Sequence, residues 1–143
     1  MIKVETSIEI NKPVEDVFAF TTNAENNAKW QDGVVESRVS NQTPEMVGTV
    51  ITDVRQLFGR KMESELQVMS YEPNKKVVLK IIKGPVEMEI TQMYEAVDGG
   101  TKISVRMEGE PGGFFKLVGG ALEKQMVEQN EQNFQKLKQI LEG

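Results

Sequence analysis

The chain has 143 residues and a formal net charge of −5; 38% of it is hydrophobic and 27% charged, and it contains neither cysteine nor histidine. Those two absences exclude disulfides, thiolate nucleophiles, the Ser-His-Asp triad, the usual zinc ligand sets and the commonest general base. The acidic balance opposes a phosphate backbone and no basic run offsets it, so nucleic acid is not an expected partner.

The length suits one domain over residues 1–143 with a sizeable core. No stretch approaches the roughly 18 apolar residues of a membrane span. The opening MIKVETSIEI alternates instead of forming a signal peptide. The expected setting is therefore the cytoplasm, without stable membrane insertion, and the Asn41-Gln42-Thr43 sequon is discounted. No metal or other cofactor is expected.

In chain order, residues 2–11 alternate as a strand. Pro13 then opens a short helix with Val14, Val17 and Phe18 at helical spacing. Asn23 caps a second short helix through Trp30. Six strands follow, over roughly 34–42, 46–57, 60–72, 76–83, 86–97 and 101–110, divided by Gly, Pro and Asn turn signals. Pro111-Gly112-Gly113 leads into a long C-terminal helix, whose first part Gly119-Gly120 weakens. Tight connections between the six later strands predict an antiparallel meander, and the class is α+β.

Strand alternation assigns the faces. Met62, Ser64, Leu66 and Val68 share one face of their strand, as do Val86, Met88, Ile90, Gln92 and Tyr94 of theirs, and Ile103, Val105 and Met107 of theirs. Val35, Ser37 and Val39 are placed inward in the second strand. Val50, Thr52, Val54 and Gln56 are placed inward in the third, opposite Asp53 and Arg55. On the last helix, Phe115, Val118, Leu122, Met126, Leu137 and Ile140 fall on one side of the wheel, together with Gln129 and Asn133. Burying an amide without a partner costs roughly 1–3 kcal/mol. Any one of these polar groups could be satisfied by a neighbour or a buried water. As a set facing inward from two layers, they read as a cavity with a mostly apolar lining. The methionines, ordinary core when taken singly, would make its walls adaptable.

Nearly every charged side chain in the central strands is placed outward by this parity. Tyr94 is then the main ionisable group facing in, a weak catalytic candidate, with Glu95, Glu108 and Glu110 as exceptions near strand ends.

The segments SIEINKPVEDVFAFTTNAENNAKWQDGVVES and VGTV, the Glu72-Pro73 turn and the terminal QKLKQILEG resemble the START/Bet v 1-like (SRPBCC) superfamily, particularly its polyketide cyclase/dehydrase-like branch. The resemblance spans nearly the whole chain and lies in the order of the signals. It implies a helix-grip fold, a seven-stranded curved antiparallel sheet wrapped around the C-terminal helix, with two short helices between strands 1 and 2 and an elongated cavity inside. It also implies that Trp30 packs near one end of that cavity, as wall or as anchor of the short helices. Phe58 and Phe114-Phe115 would line an entrance or, for the second pair, simple core.

Three functions follow as expectations. The first is a carrier or binder of a small hydrophobic molecule such as a lipid, polyketide or quinone. The residues expected to line its site are Trp30, Thr52, Gln56, Phe58, Met62, Ser64, Met88, Gln92, Tyr94, Met107, Phe115, Leu122, Met126, Gln129 and Asn133. The second is an enzyme of cyclase, aromatase or dehydratase type, which needs an ionisable group in the cavity. The third is an interaction module of co-chaperone type, which needs a filled core and an exposed apolar patch. Monomer and homodimer are both compatible with the sequence.

Overall fold

The computed structural model describes residues 2–57, 59–84, 86–111 and 119–143. Strand β1 (Ile2–Ile10) ends just before Pro13, which stands at the N-terminus of α1 (Val14–Thr22). Asn23 follows, and its Oδ1 accepts the Glu25 N–H at 3.2 Å, opening a 3-10 turn (Ala24–Asn26) that runs into α2 (Asn27–Trp30). The meander is β2 (Val34–Asn41), β3 (Val50–Leu57), β4 (Arg60–Glu72), β5 (Lys76–Lys83), β6 (Val86–Val97) and β7 (Gly100–Pro111), and α3 (Gly119–Glu142) closes the chain. The seven strands form one antiparallel sheet in the order β1-β7-β6-β5-β4-β3-β2. This is the helix-grip fold that the family resemblance implies.

The third strand starts four residues later than the predicted 46, because Met46–Thr49 turns back. Thr49 N–H donates to Met46 O at 3.0 Å, and Gly48, at φ 92°, donates to Val68 O at 2.7 Å. The described part of α3 begins at Gly119, so the two glycines lie at its start and not within a longer described helix.

α3 crosses the concave side of the sheet and runs along β1. Its polar side chains take up backbone groups there: Glu142 accepts the Asn11 N–H at 2.7 Å, and Lys138 donates to Glu9 O at 2.8 Å. Two apolar clusters join the layers. Leu122 packs with Ile2, Val4, Val86 and Met88, while Phe134 and Leu137 pack with Val17, Phe18, Trp30 and Ile103. Burial of this kind, about 25 cal/mol per Å² of apolar surface, is the main stabilising term. On the helix, Phe134 joins the buried stripe, whereas Ile140, assigned to that stripe from the wheel, is 40% exposed.

Candidate functional site

Between sheet and α3, bordered by residues of both apolar clusters, the packing is incomplete. A cavity of about 230 Å³ remains there. Its sheet wall is aliphatic across β4 to β7, carried by Leu66, Leu79, Ile81, Met88, Ile90 and Met107. Leu122 and Met126 of α3 face this wall. The inward faces of β4, β6 and β7 bring Met62, Ser64, Met88, Gln92 and Met107 to the lining. Trp30, Leu122, Met126, Gln129 and Asn133 also line it.

The parity predicted for β3 is reversed. Arg55 pairs with Met62, Asp53 with Ser64 and Ile51 with Leu66, and partners in register share a face. Ile51, Asp53 and Arg55 therefore line the cavity. Thr52 and Gln56 sit on the opposite face and are not part of the site: Thr52 lies in register between Arg38 and Glu65, and Gln56 is exposed. In β2 an irregularity between Val34 and Glu36 leaves Val35 51% exposed, while Ser37 is buried opposite Asp53. Phe58 and Phe115, like Phe114, lie outside the described residues.

Tyr94 is a core residue and not a wall of the cavity. Its hydroxyl is 2.6 Å from Thr21 Oγ1 and 3.2 Å from Gln92 Oε1, and its ring meets Phe18 edge-on at 5.0 Å. Burial pushes its titration well above the usual phenol range, outweighing the opposing effect of the Thr21 bond. The phenol is thus held protonated, with its hydroxyl engaged by Thr21 and Gln92 and its side chain outside the cavity lining. Glu95, Glu108 and Glu110 do not line the cavity either.

The polar sector of the cavity lies under α2. The Asp53 carboxylate accepts two bonds from Arg55, from Nε at 2.6 Å and from Nη2 at 3.0 Å, and Nη2 also reaches Gln31 Oε1 at 3.3 Å. Asn27 donates to Ser37 Oγ at 3.0 Å. On α3, Asn133 Oδ1 accepts both Gln129 Nε2 and the Asp32 N–H, each at 3.0 Å. The two amides therefore satisfy one another in part and tie α3 to the end of α2, while still facing the cavity. Trp30 stacks on Phe134, and its Nε1 has no hydrogen-bond partner among the described residues. No group of three or more acidic side chains suited to a metal ion occurs among the described residues, and no helix among them is long and apolar enough to cross a membrane.

Sequence reasoning missed Asp53 and Arg55. Valine at 50 and 54 made the wrong face look apolar. The available signal was the turn at Gly48-Thr49, which shortens the strand, together with a register that puts Ser64 opposite Asp53.

Residues 1–142 match a protein family described as polyketide cyclase / dehydrase and lipid transport. No curated protein matches the sequence. Among solved structures, a START superfamily protein from Mycobacterium smegmatis is similar at a TM-score of 0.85 and 13% identity, over 98% of this chain and 97% of that one. TTHA0849 from Thermus thermophilus is similar at 0.81 and 18% identity, over 96% and 94%. The di-domain ARO/CYC protein BexL from the BE-7585A biosynthetic pathway is similar at 0.75 and 17% identity, over 99% of this chain and 47% of that one.

Proposed function

The chain belongs to the polyketide cyclase/dehydrase and lipid transport family, and from that premise we propose that it binds a compact hydrophobic molecule in the cavity between the sheet and α3. The observation that carries this reading is the cavity itself, about 230 Å³ with an aliphatic wall on one side and placed hydrogen-bonding groups on the other. Its volume narrows the guest. An engineered apolar cavity of about 150 Å³ accepts benzene, so this one suits one or two rings better than an extended acyl chain.

Trp30 offers a direct test, because it is the only tryptophan and it lines the cavity. Titration with small ring compounds is expected to change its emission saturably. A flat response across a chemically broad set contradicts the proposal.

Transformation of the bound molecule is the second reading, and one observation favours it: the Asp53–Arg55 pair puts ionisable groups in the cavity lining. Both Asp53 oxygens are engaged by Arg55, which leaves the guanidinium, and not a free carboxylate, to act on a guest. Polarisation of a carbonyl is the step it could assist. Turnover of a ring-forming polyketide-like substrate that Arg55→Met abolishes is the result this reading needs. The interaction-module reading needs a filled core, and the cavity counts against it.

A further inference from the structure

Asp53 and Arg55 are the one anion and the one cation that line the cavity among the described residues. They sit two apart on β3, so both point to the same face. The carboxylate holds the Nε and Nη2 edge of the guanidinium, Gln31 takes a further bond from Nη2, and Nη1 has no partner among the described residues. A planar guanidinium held along one edge presents its remaining N–H groups in a set direction. The Asp53 side chain is 7% exposed and that of Arg55 37%, so the pair spans from the enclosed lining toward water. Ser37 and Ser64, the register neighbours of Asp53, bring no charge to it.

We infer that this pair selects a neutral, oxygen-bearing ring compound over its carboxylate analogue. The inference rests on the cavity-binding reading above and deepens it. Asp53 already neutralises Arg55, so the site has a hydrogen-bond donor to offer but no net positive charge. A carbonyl or hydroxyl oxygen accepts from the guanidinium and leaves the pair neutral. A carboxylate gives the site a net negative charge, sits near the Asp53 oxygens and gives up its own hydration. The aliphatic wall offers an anion nothing in return. A cavity lined by Arg55 alone would choose the opposite way.

The test uses three probes of nearly equal size: 2-ethylnaphthalene, 2-acetylnaphthalene and 2-naphthoate, measured by equilibrium dialysis at neutral pH. The wild-type protein is expected to hold the ketone about tenfold more tightly than either of the others. Asp53→Asn removes the anion and keeps an acceptor for Arg55, and it is expected to raise naphthoate affinity about tenfold relative to that of the ethyl compound. Equal binding of all three probes by the wild type overturns the inference and leaves the cavity-binding reading standing. So does naphthoate binding that the substitution does not alter. Failure of all three probes to bind overturns both. Should Asp53→Asn not fold, the wild-type ranking alone decides.

Discussion

Trp30 and Phe134 stack with ring centroids 6.1 Å apart and planes 10° from parallel, and this contact is the seam between the short α2 and the long α3. Both rings are buried. A four-residue helix has little stability of its own, since nucleating helix is costly, so its position depends on such packing. Phe134→Ala is expected to lower unfolding free energy by about 3–5 kcal/mol and to shift Trp30 emission to the red. Denaturant unfolding followed by fluorescence checks both. A loss under about 1 kcal/mol with unchanged emission would show that the stack does not hold α2.

Asn133 has a structural duty that Gln129 lacks. Its Oδ1 accepts the backbone N–H of Asp32 as well as the Gln129 amide. Asn133→Leu leaves that N–H unmatched at a part-buried site, an expected loss of about 1–3 kcal/mol. Gln129→Leu leaves the Asp32 bond in place and is expected to cost less than about 1 kcal/mol. Urea midpoints of the two variants compare them directly, and an equal loss from both contradicts the assignment.

Gly33 sits between α2 and β2 at φ 87°, and its O accepts the Gln56 N–H at 2.7 Å. A Cβ there would lie 2.9 Å from Gln56 O. Gly33→Ala therefore combines left-handed strain with a backbone clash, and a loss of roughly 1–3 kcal/mol is expected. Because Gln31 and Arg55 flank this turn, the variant should also weaken ligand binding. Thermal unfolding, with and without a bound ring compound, separates the two effects. Wild-type stability in this variant would contradict the strained turn.

The fold was legible because its signals agree with one another. Alternation in β4, β6 and β7 matches the burial seen at Val68, Met88 and Val105, and turn residues fall between strands. What failed depends on register. Parity in β3 favoured Val50 and Val54, yet pairing with β4 turns Asp53 and Arg55 inward. Irregularities in β2 and between Val68 and Ser70 in β4 shift the count by one, which brings Tyr71 to the cavity and leaves Val35 exposed. A bulge costs one residue of alternation and leaves no mark in composition. Periodicity turns Tyr94 inward, but it does not distinguish a core hydroxyl held by Thr21 from one that faces a guest.

Burial raises the Tyr94 phenol above its ordinary value of 10.0, which gives a pH dependence of definite sign. The folded state favours the protonated phenol, and unfolding lets it ionise at its ordinary value. Its contribution is therefore complete below about pH 10 and falls as pH rises beyond that. Wild-type stability is expected to decline above this point more steeply than that of Tyr94→Phe. Parallel slopes for the two proteins in denaturant titrations from neutral to strongly alkaline pH would contradict the assignment.

On the proposed reading, the cavity holds a compact, neutral ring compound. Native mass spectrometry of the protein, purified gently from its own source, tests it most directly when followed by extraction and identification of whatever is retained. The expected result is a retained molecule of one or two rings with a carbonyl or hydroxyl oxygen, lost or reduced in Arg55→Met. Retention of a long-chain fatty acid, or an empty protein whose Trp30 emission no ring compound alters, contradicts it.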